Sequence, residues 1–357
     1  MRLQEILAER PRIERYLGEV LEEHVRASRG ESRLLSPLMA SAREFTLRGG
    51  KRFRACLLLA GYHLGGGRDL SRALPAAAAL ETFQSWMLIH DDVIDHGETR
   101  RGGPTLHVAM ARLHAAHELE GSAADFGLGM AITLGDLFEA FTVGLFLRCP
   151  LPQARVFRAL EEYRWMTERT ALGQLLDILN ASRPVEEVTE GEVLKVHRLK
   201  SAIYTVASPL KLGAILAGAK EARIRALGEI GEAYGTAFQL RDDVLGVGTQ
   251  DERTVGKSTN DLFEGKRTLL TVHAWHRAGR DGREALGRVL GNPLATPEQF
   301  DQALSVIEET GSFAHSESEI RRAVARGDRL VARTAGFTGS DRALLREIAV
   351  ALTERTQ

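Results

Sequence analysis

Cysteine is almost missing from this sequence. Cys56 and Cys149 are the only two, and both lie in apolar stretches. No disulfide framework can be built from them, and both are read as buried thiols of a reducing compartment. A surplus of one charge is missing too: 47 basic side chains face 48 acidic ones, for a formal net charge of -1. That balance removes any global electrostatic case for nucleic acid or an anionic membrane, so a site for polyanions has to be local. Lysine is scarce, with seven among those 47 basic residues. Four of them, Lys51, Lys200, Lys257 and Lys266, fall in the segments singled out below, where a compact ammonium differs from a planar guanidinium. The N-terminal residues Met1 to Arg10 mix charge with leucine and isoleucine and offer no apolar run with a cleavage site, so no signal peptide is expected. The most apolar long segment, Leu128 to Leu147, carries Asp136 and Glu139 near its middle, which favours a buried or half-buried helix over a membrane span. The expectation is a cytoplasmic protein that is not an integral membrane protein and has no nucleic-acid partner.

Strand-like alternation is scarce as well, and no internal repeat, low-complexity tract, Walker-type loop or dinucleotide fingerprint appears. What is present is helical periodicity. Ile13, Leu17, Leu21 and Val25 recur at spacing four. Helical runs are expected at Lys51 to Leu64, Pro75 to Ile94, Leu106 to Leu119, Ala124 to Leu147, Ala154 to Asn180, Arg223 to Val247 and Leu269 to Arg277. A helix from about Thr189 is expected to include Lys195 to Val206 and to kink or end at Pro209. Thr296-Pro297-Glu298-Gln299 carries a cap, a first-turn proline and a capping-box partner. Further helices cover Glu317 to Ala332 and Asp341 to Leu352. Gly248 to Gly265 reads as a polar closing loop. The fold class is therefore all-α, helix packed on helix, in one large domain spanning 1–357.

The chemistry concentrates in a few segments. In His90-Asp91-Asp92-Val93-Ile94-Asp95, Asp91 and Asp95 stand four apart and project from one helix face. Like charges at that spacing destabilise a bare helix, and a bound cation reverses the cost. Oxygen ligands that leave room for water suit Mg²⁺ shared with substrate phosphates. Arg100 and Arg101 follow, with forks that fit phosphate. The apolar residues ahead of the aspartates, Phe83, Trp86, Leu88 and Ile89, set the acids at the edge of a core; the bland alternative is a solvated acidic helix end. A second cluster, Gln239, Asp242 and Asp243, ends another apolar helix and is followed by Lys257, Asp261, Lys266 and Arg267. Lys200 sits beside an apolar stretch, where it could simply snorkel to the surface. Lys51, Arg52 and Arg54 follow Gly49-Gly50, and basic residues in a first helical turn call for an anion such as phosphate.

These segments, in this order, resemble the trans-isoprenyl diphosphate synthases, or polyprenyl synthetases. The resemblance runs from about residue 40 to about residue 275. It rests on Gly49-Gly50-Lys51-Arg52-Phe53-Arg54, the first aspartate cluster with Arg100-Arg101-Gly102, Gly135-Asp136, Gly173-Gln174 with Asp177, Lys200-Ser201-Ala202, Phe238 to Asp243, and Gly265-Lys266-Arg267-Thr268. It implies a helical bundle around a central cavity, in a homodimer. An allylic diphosphate would be held through Mg²⁺, three ions with substrate bound, by Asp91, Asp95 and Asp242, with Asp92 and Asp243 supporting the metal shell. Arg100, Lys200 and Lys257 would clamp the same diphosphate, with Ser201, Gln239 and Lys266 nearby; Lys200, Lys257, Arg100 and Gln239 would serve catalysis. Isopentenyl diphosphate would occupy a second site made by Gly50, Lys51, Arg54, Gln84 and Arg101. The reaction implied is Mg²⁺-dependent head-to-tail condensation with release of diphosphate.

The chain departs from the family pattern at several points. Gln84 stands where a histidine is usual and keeps a hydrogen-bond donor without a titratable charge. Gly246 replaces a third aspartate of the second cluster, which shifts weight to Asp242. Ser201 stands for threonine and Ala55 for proline. Trp86 and Met87, five and four residues before Asp91, are expected to set product length, and one aromatic at the fifth position points to geranylgeranyl diphosphate ahead of farnesyl or longer products. A floor nearer Phe126 to Leu134 is the alternative. Other readings are a terpene cyclase, against which Lys51, Arg54 and Arg101 argue, and a non-catalytic subunit of a heteromeric synthase.

Overall fold

The computed structural model describes residues 1–247 and 261–354. Helices dominate: α1 (Leu3–Leu7), α2 (Arg10–Glu31), α3 (Leu35–Leu47), α4 (Phe53–Leu64), α5 (Leu74–Ile94), α6 (Leu106–Ala116), α7 (Ala123–Leu147), α8 (Gln153–Ala181) and α9 (Glu190–Val196). A π-helical segment, His197–Ala207, leads into α10 (Ser208–Ala217). Then come α11 (Glu221–Val247), α12 (Leu269–Arg277), α13 (Arg280–Val289), α14 (Pro297–Glu309), α15 (Ser312–Arg333) and α16 (Gly339–Thr353). The all-α expectation holds, with helix bounds close to those read from periodicity. Helices α1, α3 and α13 were not anticipated.

Helix α5 owes its central place to small side chains. Ala76, Ala77, Ala78 and Ala79 are fully buried, so its first half can be approached closely by α2, α4 and α7. Phe83, Phe138, Phe146 and Tyr234 fill the surrounding core. Each such side chain stabilises the fold by about 1.5–3 kcal/mol relative to exposure. A smaller cluster gathers Val247, Leu262, Leu286, Val289, Phe300 and Ile307 around α13 and α14. Both cysteines are free and buried, and burial pushes each thiol up to about 12. Helix α7 is long and apolar enough to cross a membrane, yet 39% of its most apolar window is buried against neighbouring helices. The Thr296 capping box forms as expected, with both reciprocal bonds present.

Three local features differ from the sequence reading. Of the two expectations at Pro209, a kink or an end, the end does not occur. The helix from Thr189 widens to the π-helical segment, and Pro209 then falls in the first turn of α10, where its missing N–H costs little. Lys51 and Arg52 lie outside the first turn of α4. Arg52 adopts a left-handed conformation (φ 50°) before the helix begins, and its guanidinium pairs with the buried Glu81 at 3.1 Å and with Glu14 at 3.3 Å. Only Arg54 of that basic run is helical. Gly102-Gly103-Pro104 is not merely a loop: Thr99–Arg100 pairs antiparallel with Gly103–Pro104. The turn between them puts Arg101 (φ 52°) and Gly102 (φ 74°) in the left-handed region, as two-residue hairpins of this twist require.

Candidate active site

The hairpin sorts the two arginines to opposite partners. Arg100 turns back to Asp92, with Nε and Nη2 2.6 and 2.5 Å from Oδ1. Burial pushes the Asp92 carboxyl up while Arg100 opposes it. Its Oδ2 is buried with no hydrogen-bond partner. Arg101 instead lies against Gly50, where a Cβ would meet its Nη1 at 3.2 Å. The double-glycine segment and the arginine pair, read separately along the chain, are therefore in contact. Burial, together with Arg52, holds the Arg101 guanidinium down at about 10.

Arg54 bonds through Nη2 to Tyr204 Oη and Thr205 Oγ1, both at 3.1 Å, and lies over the Tyr204 ring. This ties the start of α4 to the π-helical segment. Gln84 is buried, and its Oε1 has no partner. Lys51 is exposed just ahead of α4.

The π-helical segment carries three side chains toward the acids. Lys200 Nζ donates to Asp177 Oδ2 at 2.6 Å. Burial alone would lower its pKa, but Asp91 and Asp177 outweigh that and raise it. Ser201 Oγ donates to Gln239 Oε1 at 2.5 Å, and Gln239 Nε2 donates to Asp243 Oδ1 at 2.8 Å. His197 Nε2 stands 2.9 Å from Asp243 Oδ2. Burial works against the imidazolium, yet the Asp243 charge keeps the His197 pKa above the ordinary value. Gly173 on α8 makes this possible: a Cβ there would come within 2.3 Å of the Lys200 backbone nitrogen.

Lys266 joins the first acidic cluster to Asp261 and Glu264, which follow the second cluster in the chain. Its Nζ lies 3.5 Å from Asp95 Oδ2 and 3.6 Å from Asp261 Oδ1, and it also bonds Glu264. Burial opposes its charge, but these carboxylates raise its pKa well above the usual value. Asp261 matters for another reason. A Cβ on Gly246 would sit 2.4 Å from Asp261 Oδ2. The carboxylate missing from position 246 is thus present in space, supplied by a residue fifteen positions later. Asp242 is half-buried near the end of α11, beside Asp243. Lys257 and the part of the expected closing loop at 248–260 lie outside the described residues.

Sequence reading missed His197 and the spatial role of Asp261. His197 lies three residues before Lys200, which was the available signal. At the other end of the site, Trp86 is not alone. It packs edge-on to Phe83 (5.6 Å between centroids), and Phe83 also meets Tyr163 at 5.7 Å and Tyr204 at 5.8 Å. Met87 packs half-buried against the same core.

The donor set suits Mg²⁺. It is all oxygen, partly solvated at Asp91, Asp95 and Asp242, and includes the unpartnered Asp92 Oδ2. Cationic groups alternate with acids in the manner required to hold a polyphosphate.

A helical bundle carrying acidic clusters at the ends of α5 and α11, interleaved with lysine and arginine, defines the class of isoprenoid synthases. The chain fits a geranylgeranyl pyrophosphate synthase of Corynebacterium glutamicum, solved with isoprenyl diphosphate and magnesium, with a TM-score of 0.86 at 32% identity, covering 96% of this chain and 98% of that one. It is 32% identical to a geranylfarnesyl diphosphate synthase of Aeropyrum pernix across 87% of this chain and 91% of the relative. It is 31% identical to a geranylgeranyl diphosphate synthase of Sulfolobus acidocaldarius across 73% of this chain and 74% of the relative. Residues 36–307 match the family described as polyprenyl synthetase. The chain belongs to the polyprenyl synthetase family.

Proposed function

We propose that this protein condenses isopentenyl diphosphate head-to-tail with allylic diphosphates, in the presence of Mg²⁺, to geranylgeranyl diphosphate. The observation that carries the reading is Lys266 held between Asp95 of the first cluster and Asp261, which lies against the end of α11, with Lys200 under the influence of Asp91. Asp91, Asp95 and Asp242 would hold Mg²⁺, with Asp92, Asp243 and Asp261 behind them; the metal, when bound, neutralises charge on the departing diphosphate. Lys200, Lys266 and Arg100 bind that diphosphate as the allylic carbon–oxygen bond ionises. Lys257 is assigned to the same clamp by resemblance. Ser201 and Gln239 orient the Asp243 carboxylate. Arg101, Gly50, Arg54, Lys51 and Gln84 bind isopentenyl diphosphate, where Arg101 lies against Gly50. The allylic cation alkylates the double bond of the second substrate, and the released diphosphate then takes the proton that the adduct loses. Keeping water out protects the cation.

Trp86, backed by Phe83, and Met87 limit the growing chain. The similarity to a geranylfarnesyl diphosphate synthase supports a second reading in which the product is one unit longer. A homodimer is proposed as well. Leu172, Leu175 and Leu179 form an exposed apolar stripe on α8, beside the partly uncovered α7. The test is incubation with Mg²⁺, isopentenyl diphosphate and each allylic diphosphate from C5 to C20, with products separated by chromatography. Chain-extended products ending at C20 are expected. Cyclised or hydrolysed products without extension would overturn the reading, and extension to C25 would favour the second.

A further inference from the structure

Away from the aspartate clusters, Glu190, His273 and His315 bring one ligand atom each to within 4.8 Å of one another. They come from three helices: the first residue of α9, the middle of α12 and the first turn of α15. We propose that these three side chains form a separate binding site for a divalent transition ion of the Zn²⁺ or Co²⁺ class.

The hydrogen bonds around His273 decide which ring nitrogen is available. Thr310 Oγ1 lies 2.7 Å from the Val306 carbonyl, so its single proton is committed there. Ser312 Oγ, 2.9 Å from Thr310 Oγ1, then has to donate to it. The Ser312 oxygen is left to accept from His273 Nδ1 at 2.8 Å. With Nδ1 donating to Ser312, it is Nε2 of His273 that is left to offer a lone pair. A histidine fixed by a hydrogen bond through its other nitrogen is the usual state of a metal ligand.

His273 is buried, whereas Glu190 and His315 are partly exposed, with Glu190 Oε2 and His315 Nε2 3.0 Å apart. This leaves a solvent-side path to the cluster. The two rings stack with centroids 4.2 Å apart and planes 15° from parallel. Binding replaces that stacking and the Glu190–His315 contact. His315, the more exposed ring, swings so that the 3.0 Å Glu190–His315 pair opens slightly and the wider spacings draw in, toward the roughly 3.4 Å of a tetrahedral site with bonds near 2.1 Å. Two imidazoles and one carboxylate suit Zn²⁺ or Co²⁺, with water in the fourth position, and not Mg²⁺, which prefers oxygen. An ion here would tie α9, which leads into His197 and Lys200, to α12, which follows Lys266.

The test uses full-length protein with Asp91→Asn and Asp95→Asn, to weaken the aspartate site, in excess Mg²⁺. Co²⁺ is titrated and followed by its visible absorption and by calorimetry. One equivalent with tetrahedral-type bands is expected, with affinity falling at least tenfold in His315→Ala and in Glu190→Gln and the thermal midpoint raised only where binding survives. Two variants guard against one that fails to fold, and circular dichroism without metal checks each. Equal Co²⁺ affinity in the parent and in both folded variants, or no such bands at all, would overturn the site. Neither outcome bears on prenyl transfer.

Discussion

Replacing Gly173 by alanine adds one methyl group where α8 meets the π-helical segment. The new Cβ would lie 2.3 Å from the Lys200 nitrogen and 2.7 Å from its Cα, and backbone cannot rotate aside as a side chain can. Restoring an ordinary contact of 3.4 Å or more asks for a retreat of about 1.1 Å. That carries the 2.6 Å Lys200–Asp177 bond beyond the ~3.2 Å hydrogen-bond range. Overpacking costs about 1–3 kcal/mol, and losing a charge-assisted bond costs about 1.5–3 kcal/mol. Alanine returns about 1 kcal/mol of helix propensity. The net expectation is destabilisation by about 1.5–5 kcal/mol. Because Lys200 leaves its place, kcat/KM should fall by at least tenfold. Urea unfolding and steady-state kinetics of the purified variant measure both. Gly30→Ala is the control, since nothing lies within 4 Å of its Cβ position; its stability should be unchanged or higher. A Gly173→Ala protein with parental stability and kinetics would refute the packing argument.

Asp261→Asn should raise the Mg²⁺ concentration for half-maximal activity by about tenfold, as expected of a group supporting the metal ligands; an unaltered Mg²⁺ dependence would remove Asp261 from the site. Trp86→Ala should lengthen the product, read by chromatography, and an unchanged length would move the stop to Phe83 or deeper. Glu192 closes the α9 capping box, and Arg183 with the Thr189 N–H holds its carboxyl at about 2 against an ordinary 4.5. A depressed carboxyl stabilises above the unfolded value and loses that contribution as pH falls toward the folded one. Glu192→Gln should therefore cost about 0.5–1 kcal/mol at pH 7, with the gap in urea midpoints narrowing below pH 4.5; a constant gap would contradict this. Leu175→Glu with Leu179→Glu should convert a dimer to a monomer in sedimentation, and an unaltered mass would place the interface elsewhere.

Much of this protein was legible in one dimension. Helices such as α2 and α5 follow from apolar spacing, and the Thr296 box from four adjacent residues, because such features are satisfied within a few turns of chain. The Asp91–Asp95 pair was legible for the same reason. What the sequence could not convey is which distant segments meet. Arg101 takes a left-handed turn position usually left to glycine or asparagine, where the hairpin imposes the backbone and the side chain packs against Gly50. The basic run at Lys51 to Arg54 divides because Arg52 finds buried Glu81, 29 residues away. Gly246 read as a missing ligand until Asp261 was seen against it. Glu190, His273 and His315, far apart in sequence, have no motif at all. Local periodicity determined the helices and the first metal pair. The tertiary structure decided the partners, because ion pairing and close packing depend on distances in space that residue order does not encode.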